Sequence, residues 1–148
     1  MKALSLWRPW DQSILHAGKD FENRPWPLWA NMIGMPIALH AGKKYDLDGA
    51  NWMKDEGLYT PPPPEESPCG IVGVVVFDSV VHQKVKPDSP WFFGPYGWHI
   101  KEIAAIGPIP CIGKQGLWNV PKELEGAVER VLVDEWWTKG KILREADK

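Results

Sequence analysis

The 148-residue sequence predicts an α+β fold, mainly β: a small, mixed, partly open barrel of five or six short strands with flanking helices and a C-terminal helix. Three observations carry this. The run Gly70-Ile71-Val72-Gly73-Val74-Val75-Val76-Phe77-Asp78 is apolar on both faces, which marks a central strand covered on both sides or rolled into a barrel. Short extended segments recur between Pro- and Gly-rich turns without repeated strand–helix alternation, which argues against a parallel α/β sheet. From Pro121, residues Leu124, Ala127, Val128, Val131, Leu132 and Trp136 fall at three- and four-residue steps, a helical stripe closed by Gly140. Residues 1–120 are expected to form the barrel and 121–148 the helix packed on it, within one domain.

In chain order, residues 2–7 read as a first strand, Leu4 and Leu6 facing one side and Ala3, Ser5 and Trp7 the other. Pro9 and Gly18 bracket a two-turn helix, with Pro near its start and Gly just past its end. Trp10, Ile14 and Ala17 form its inner face, leaving Asp11 and Gln12 outside. Residues 19–24 read as extended, because Pro25 disfavours helix at the preceding residue. An aromatic, proline-rich connection, Pro25-Trp26-Pro27-Leu28-Trp29, leads to a second strand over 35–41, ended by Gly42. Ile37, Leu39 and Ala41 share one face of it, with Ala38 and His40 on the other. Residues 46–57 read as a helix around Trp52 and Met53, stopped by Gly57. The four prolines 61–64 make a stiff surface excursion, or a ligand for an aromatic groove. Gly73 suggests a bend or a close backbone approach. Residues 82–90 read as polar loop, 98–106 as strand, 109–112 as extended, and 113–118 as a tight turn with Lys114 at its tip.

Composition narrows the function classes. A net charge of −2 argues against a protein that coats duplex DNA through bulk charge, while leaving room for a local basic pocket. Ten Trp exceed what one core needs, so the excess is read as core and stacking surface together. Cys69 and Cys111 stand 42 positions apart without ligand spacing and read as small buried hydrophobes of a reducing, cytoplasmic protein. The start reads as a strand rather than a leader, since Arg8 and Pro9 interrupt it. No run approaches the roughly 18 apolar residues of a membrane span. His16, His40, His82 and His99 show no paired spacing, so neither a metal nor another cofactor is expected. No P-loop and no GxSxG nucleophile motif occurs.

The residues that point to chemistry lie near the start. Glu22 and Arg24, two apart on a strand, share a face and set a carboxylate beside a guanidinium. They form either a structural ion pair or a ligand pair, the guanidinium gripping a phosphate or carbonyl while the carboxylate accepts from an exocyclic amine. Lys19 is odd-spaced from Glu22, and its direction depends on the turn after Gly18. His40 reads equally as a pocket residue or a hydrogen-bonded core residue. Aromatic rings recur beside isolated basic groups, in Trp7-Arg8, in Trp98 with His99, and in Lys114 ahead of Trp118. Unpaired bases are bound by stacking on such rings while polar groups read their edges.

The segments Leu4-Ser5-Leu6-Trp7-Arg8-Pro9-Trp10, Gly18-Lys19 to Glu22-Asn23-Arg24 and Ile37-Ala38-Leu39-His40-Ala41, in that order, closely resemble the activating-signal-cointegrator homology (ASCH) domain. Gly70-Ile71-Val72-Gly73 and Pro110-Cys111-Ile112-Gly113-Lys114 fit the same pattern, and the resemblance covers about residues 1–120. It implies a PUA-like barrel related to modules that bind RNA or modified bases, with Lys19, Glu22 and Arg24 lining a cleft between barrel and first helix. Arg8, Trp7, His40, Lys114 and Trp98 join them as candidate ligand-binding residues. Some small relatives resemble amidohydrolases of acetylated cytidine that use a Lys, a Thr and a distant Glu. Lys19 matches the Lys, but Glu22 stands at the Thr position, so that mechanism does not transfer intact. Other relatives are described as ribonucleases. The expected partner is therefore single-stranded RNA or a nucleobase or nucleoside. The alternatives are a metal-independent hydrolase with Lys19 and Glu22 catalytic, and a protein-interaction adaptor using the proline loop or the C-terminal helix.

Overall fold

Nine regular elements follow one another in the computed structural model, which describes residues 1–138, with side chains as far as Leu132. They are β1 (Lys2–Arg8), α1 (Trp10–His16), β2 (Phe21–Arg24), β3 (Pro36–Tyr45), α2 (Leu47–Asp55), β4 (Gly70–His82), β5 (Tyr96–Ile109), β6 (Leu117–Asn119) and α3 (Lys122–Thr138). The six strands form one mixed sheet in the order β2-β5-β4-β3-β1-β6. Only β1 and β3 run parallel; every other neighbouring pair is antiparallel. The outer strands β2 and β6 do not pair with each other, so the sheet stays open. The α+β, mainly β class and the C-terminal helix are as the sequence predicts.

The sheet is buried on both faces, which explains the unbroken apolar run in β4. Val72, Val75 and Phe77 join Leu4, Leu39 and Trp98 in one core, with Ile14 and Leu15 of α1 packed on it. Ile71 and Val74 belong to a second core with Ala38 and Trp118, closed by Val128 and Leu132 of α3. Strict alternation would put Val72 and Val74 on one face. The irregular register between Ile71 and Gly73 reverses that expectation. Val128 and Leu132 sit where the helical stripe requires them, while the Trp136 side chain and Gly140 lie outside the described residues.

Several local expectations are corrected. β3 does not stop at Gly42, because pairing with β1 resumes beyond an irregularity at Arg8↔Tyr45. β4 continues to His82, through residues that read as polar, because β5 keeps pairing with it out to His82↔Tyr96. Asp11, expected on the outer face of α1, is fully buried, and its Oδ1 has no hydrogen-bond partner among the described residues. Burial pushes its carboxyl pKa up, against hydrogen bonds from Gln12 and the charge of Arg8. Both cysteines are free thiols: Cys69 is exposed, against expectation, while Cys111 is half-buried and packs against the second core.

Gly73 packs closely under Leu15 of α1. A Cβ built there would lie 2.8 Å from Leu15 Cδ2 and 2.9 Å from the Ala104 carbonyl oxygen. The backbone oxygen cannot turn away without disturbing the β4–β5 ladder. Gly73→Ala should therefore lower the unfolding free energy by about 1–3 kcal/mol, the usual cost of overpacking a tight core. Urea unfolding of the two proteins measures it, and an unchanged midpoint would show that the contact relaxes freely.

Candidate functional site

Gly18, at φ +72°, turns the chain out of α1. This is a left-handed backbone that a residue with a Cβ adopts at a cost. The turn carries Lys19 back under the helix, where its side chain is almost completely buried. Its Nζ donates to the Phe21 carbonyl oxygen at 2.6 Å and to Glu22 Oε1 at 3.2 Å, and stands 5.4 Å from the Trp10 ring centroid. Arg24 lies on the same face of β2 as Glu22, its Nη2 2.9 Å and its Nε 3.1 Å from Glu22 Oε2. Nη2 also donates to the Ser5 carbonyl oxygen at 3.3 Å. Glu22 is thus a buried carboxylate with one cation on each oxygen.

These three groups form the floor of a cleft of about 980 Å³. Its walls come from the end of β1, the end of β3 and the segment 111–116. Among the described residues the charged lining consists of five basic residues, Lys19, Arg24, Lys43, Lys44 and Lys114, and one carboxylate, Glu22. On a chain of net charge −2, that is a strongly positive recess. Three exposed rings stand around it: Trp7, Trp26 and Phe93. Lys44 Nζ lies 4.9 Å from the Trp7 ring centroid, close enough for a cation–π contact. Both thiols, Cys69 and Cys111, also line the cleft. Burial pushes the Cys111 thiol pKa up, which keeps it protonated and unreactive as a nucleophile.

The predicted site residues divide into two groups. Lys19, Glu22, Arg24, Trp7, His40 and Lys114 all line the cleft. His40 is also buried, so both of its readings hold. Its Nε2 lies 2.7 Å from the Cys111 carbonyl oxygen, which only accepts, so Nε2 carries the proton. Nδ1 is then left to accept from Ser5 Oγ at 3.3 Å, and that hydroxyl oxygen accepts from Trp118 Nε1 at 3.0 Å. The chain of bonds ties β6, β1 and β3 to the 111–116 segment, making His40 a positioning residue. Gly113 packs so closely over it that any Cβ would strike the His40 ring.

Arg8 and Trp98 do not line this cleft. Arg8 is buried and donates to four carbonyl oxygens, those of Gly42, Pro64, Ser67 and Lys43, at 2.7–2.9 Å. Its guanidinium is consumed as a clamp that fastens the proline loop to β3. Trp98 is 1% exposed, its indole N–H held by the Trp26 carbonyl oxygen, and the Arg24 guanidinium carbon lies 5.9 Å from its ring centroid. It supports the arginine from below and lines a smaller hollow beside the cleft.

Sequence reasoning missed Trp26, Phe93, Lys43 and Lys44. Trp26 had a usable signal, since a Trp between two prolines sits in a segment that no sheet can absorb. Lys43 and Lys44 were hidden by the belief that the strand ended at Gly42. Among the described residues, no group of three His, Cys, Asp or Glu side chains is placed to hold a metal ion. A scan against protein-family models finds no match, and a search of curated proteins finds no similar chain.

Burial lowers the Lys19 pKa from the ordinary 10.5, and the Glu22 charge only partly opposes this. Between the lowered value and 10.5 the unfolded chain holds more protons at this site than the folded one. The contribution to stability is therefore fully present above 10.5 and is lost as pH falls through the lowered value. Unfolding free energies of wild type and Lys19→Met, measured from pH 7 upwards, should diverge on the alkaline side, with the wild type gaining relative to the variant. Taking the difference removes the tyrosine and cysteine titrations common to both. Parallel curves would mean that the ammonium is better solvated than its burial implies.

Proposed function

We propose that the protein is an ASCH-type binding module that holds single-stranded RNA, or a single modified nucleobase or nucleoside, over Lys19, Glu22 and Arg24. The observation that carries this reading is the buried Lys-Glu-Arg floor of a cleft whose rim combines exposed rings with lysines. A carboxylate has about four acceptor positions. Lys19 Nζ and the Arg24 Nε and Nη2 occupy three on Glu22, leaving one for an exocyclic amine. Among the described residues, Arg24 Nη1 has no hydrogen-bond acceptor and is available to a base carbonyl or a phosphate. Stacking on Trp7, Trp26 or Phe93 supplies affinity without many phosphate contacts, about 1–3 kcal/mol per base. A reducing, cytoplasmic setting suits two free thiols at the cleft.

Hydrolysis of an acetylated nucleoside or of RNA is the second reading. In it Lys19 stabilises a developing oxyanion and Glu22 activates water. It draws on the desolvated ammonium at the cleft floor. Its weakness is that both Glu22 oxygens are already ion-paired, and neighbouring cations make a carboxylate a poorer base. The adaptor reading has less to work with. The proline loop is tied down by Arg8 and by Tyr45 Oη, which donates to the Pro62 carbonyl oxygen at 2.7 Å.

Tryptophan fluorescence separates the readings. Titration with single-stranded RNA and with N4-acetylcytidine should quench emission at micromolar concentrations, and Arg24→Ala should weaken binding at least tenfold, a loss of about 1.4 kcal/mol. No quenching by either probe would sink the binding reading. Turnover of acetylcytidine or RNA that disappears in Lys19→Ala and Glu22→Ala would install the hydrolase in its place.

A further inference from the structure

The cleft does not end at Arg24. A second hollow of about 380 Å³ opens beside it, and Arg24, Trp26, Gln115 and Gly116 line both. Either volume lies within the roughly 300–1,000 Å³ of small-molecule sites. The smaller hollow is walled by the half-exposed Trp29 and floored by Leu28 and Trp98. Apart from indole N–H groups, its polar side chains among the described residues are those of Arg24 and Gln115. Such a lining suits a group recognised by its flat face and not by its edges.

The segment that builds this hollow is rigid by composition. Pro25 and Pro27 fix their own φ and restrict the residue before each, so Trp26 is confined to extended backbone. The Trp26 carbonyl oxygen is held by the Trp98 indole at 3.1 Å. Leu28 is 4% exposed and anchors the segment in the core, leaving Trp26 and Trp29 exposed on either side of it. Lys2 Nζ lies 5.6 Å from the Trp29 ring centroid, which adds positive charge at the far end. The guanidinium of Arg24, with Nη1 unbonded among the described residues, stands where the two spaces join.

We infer that the ligand is at least a dinucleotide: one base over the Lys19–Glu22–Arg24 floor, the phosphodiester at Arg24, and the next base in the smaller hollow against Trp29. This rests on the nucleobase reading of the main cleft and extends it from a single base to a single-stranded step. The strand has to be unpaired, because its two bases are splayed into separate hollows on either side of Arg24. The second position takes any base, since stacking requires only a π-face. The first is selective, because there the edge meets Lys19, Glu22 and Arg24.

Calorimetric titration with adenosine, adenosine 3′-monophosphate and the dinucleotide ApA, and with the matching uridine series, tests each contact in turn. The monophosphate should bind more tightly than the nucleoside, with an advantage that shrinks as salt rises. The dinucleotide should gain about a further tenfold over the monophosphate. Trp29→Ala should remove that last gain and leave monophosphate binding as it was, while Trp29→Phe should keep most of it; circular dichroism checks that both variants are folded. A dinucleotide that binds no better than the monophosphate, or a gain that survives in folded Trp29→Ala, overturns the second position alone. If no nucleoside, nucleotide or dinucleotide binds, the nucleobase reading and this inference fall together.

Discussion

A carboxylate held between two cations, nearly out of water, is the constraint on which the site depends. Burying an ionised group is costly unless its partners are in place, and taking away one partner of such a group costs about 3–5 kcal/mol. Glu22 therefore obliges Lys19 and Arg24 to occupy fixed positions. Each position has a local cause. Arg24 is two residues along the same strand, and Lys19 is returned by the left-handed turn at Gly18. Phe21 adds a backbone carbonyl on the ammonium, and Trp10 a ring beside it. The short helix α1 is then explained by what it delivers: Trp10 at one end and Gly18 beyond the other.

A second set of contacts keeps the walls in register with that floor. The guanidinium of Arg8 gathers carbonyls from β3 and from the proline loop, so the lysines after Gly42 are held at the cleft and not lost in a flexible connection. Across the cleft, the bonds through Trp118, Ser5 and His40 to the Cys111 carbonyl hold the segment that carries Lys114. Both devices spend polar side chains on backbone groups that loops would otherwise leave to water. The cleft is consequently built from irregular segments anchored by buried hydrogen bonds on a sheet covered on both faces.

The charge balance gives these details a functional direction. On the binding reading proposed above, the five cations that the described residues set around one carboxylate in a weakly acidic chain favour an anionic or acceptor-rich partner. Exposed indoles at the same place favour a flat one. Isolated exposed tryptophans are ordinary; here three of them, Trp7, Trp26 and Trp29, stand by two adjoining hollows that share an arginine. That coincidence is what the proposed binding reading draws on.

What the sequence determined by itself was whatever depends on neighbours in the chain. The apolar run in β4, the stripe in α3, the same-face pairing of Glu22 with Arg24 and the stop at Gly57 all follow from periodicity and turn chemistry. The tertiary structure decided everything that depends on distant pairing. β3 outlasts Gly42 because β1 supplies a partner beyond it, and β4 outlasts its apolar run because β5 does. Asp11 is buried although its helical position alone would place it outside. Arg8 and Trp98 read alike as cleft residues in one dimension; in the fold Arg8 is spent as a clamp and Trp98 lies under Arg24 at the smaller hollow, because the carbonyls around Arg8 and the guanidinium over Trp98 come from other segments. The direction of Lys19 belongs to this second class as well: its sequence spacing left both faces open, and burial against Phe21 and Glu22 chose one.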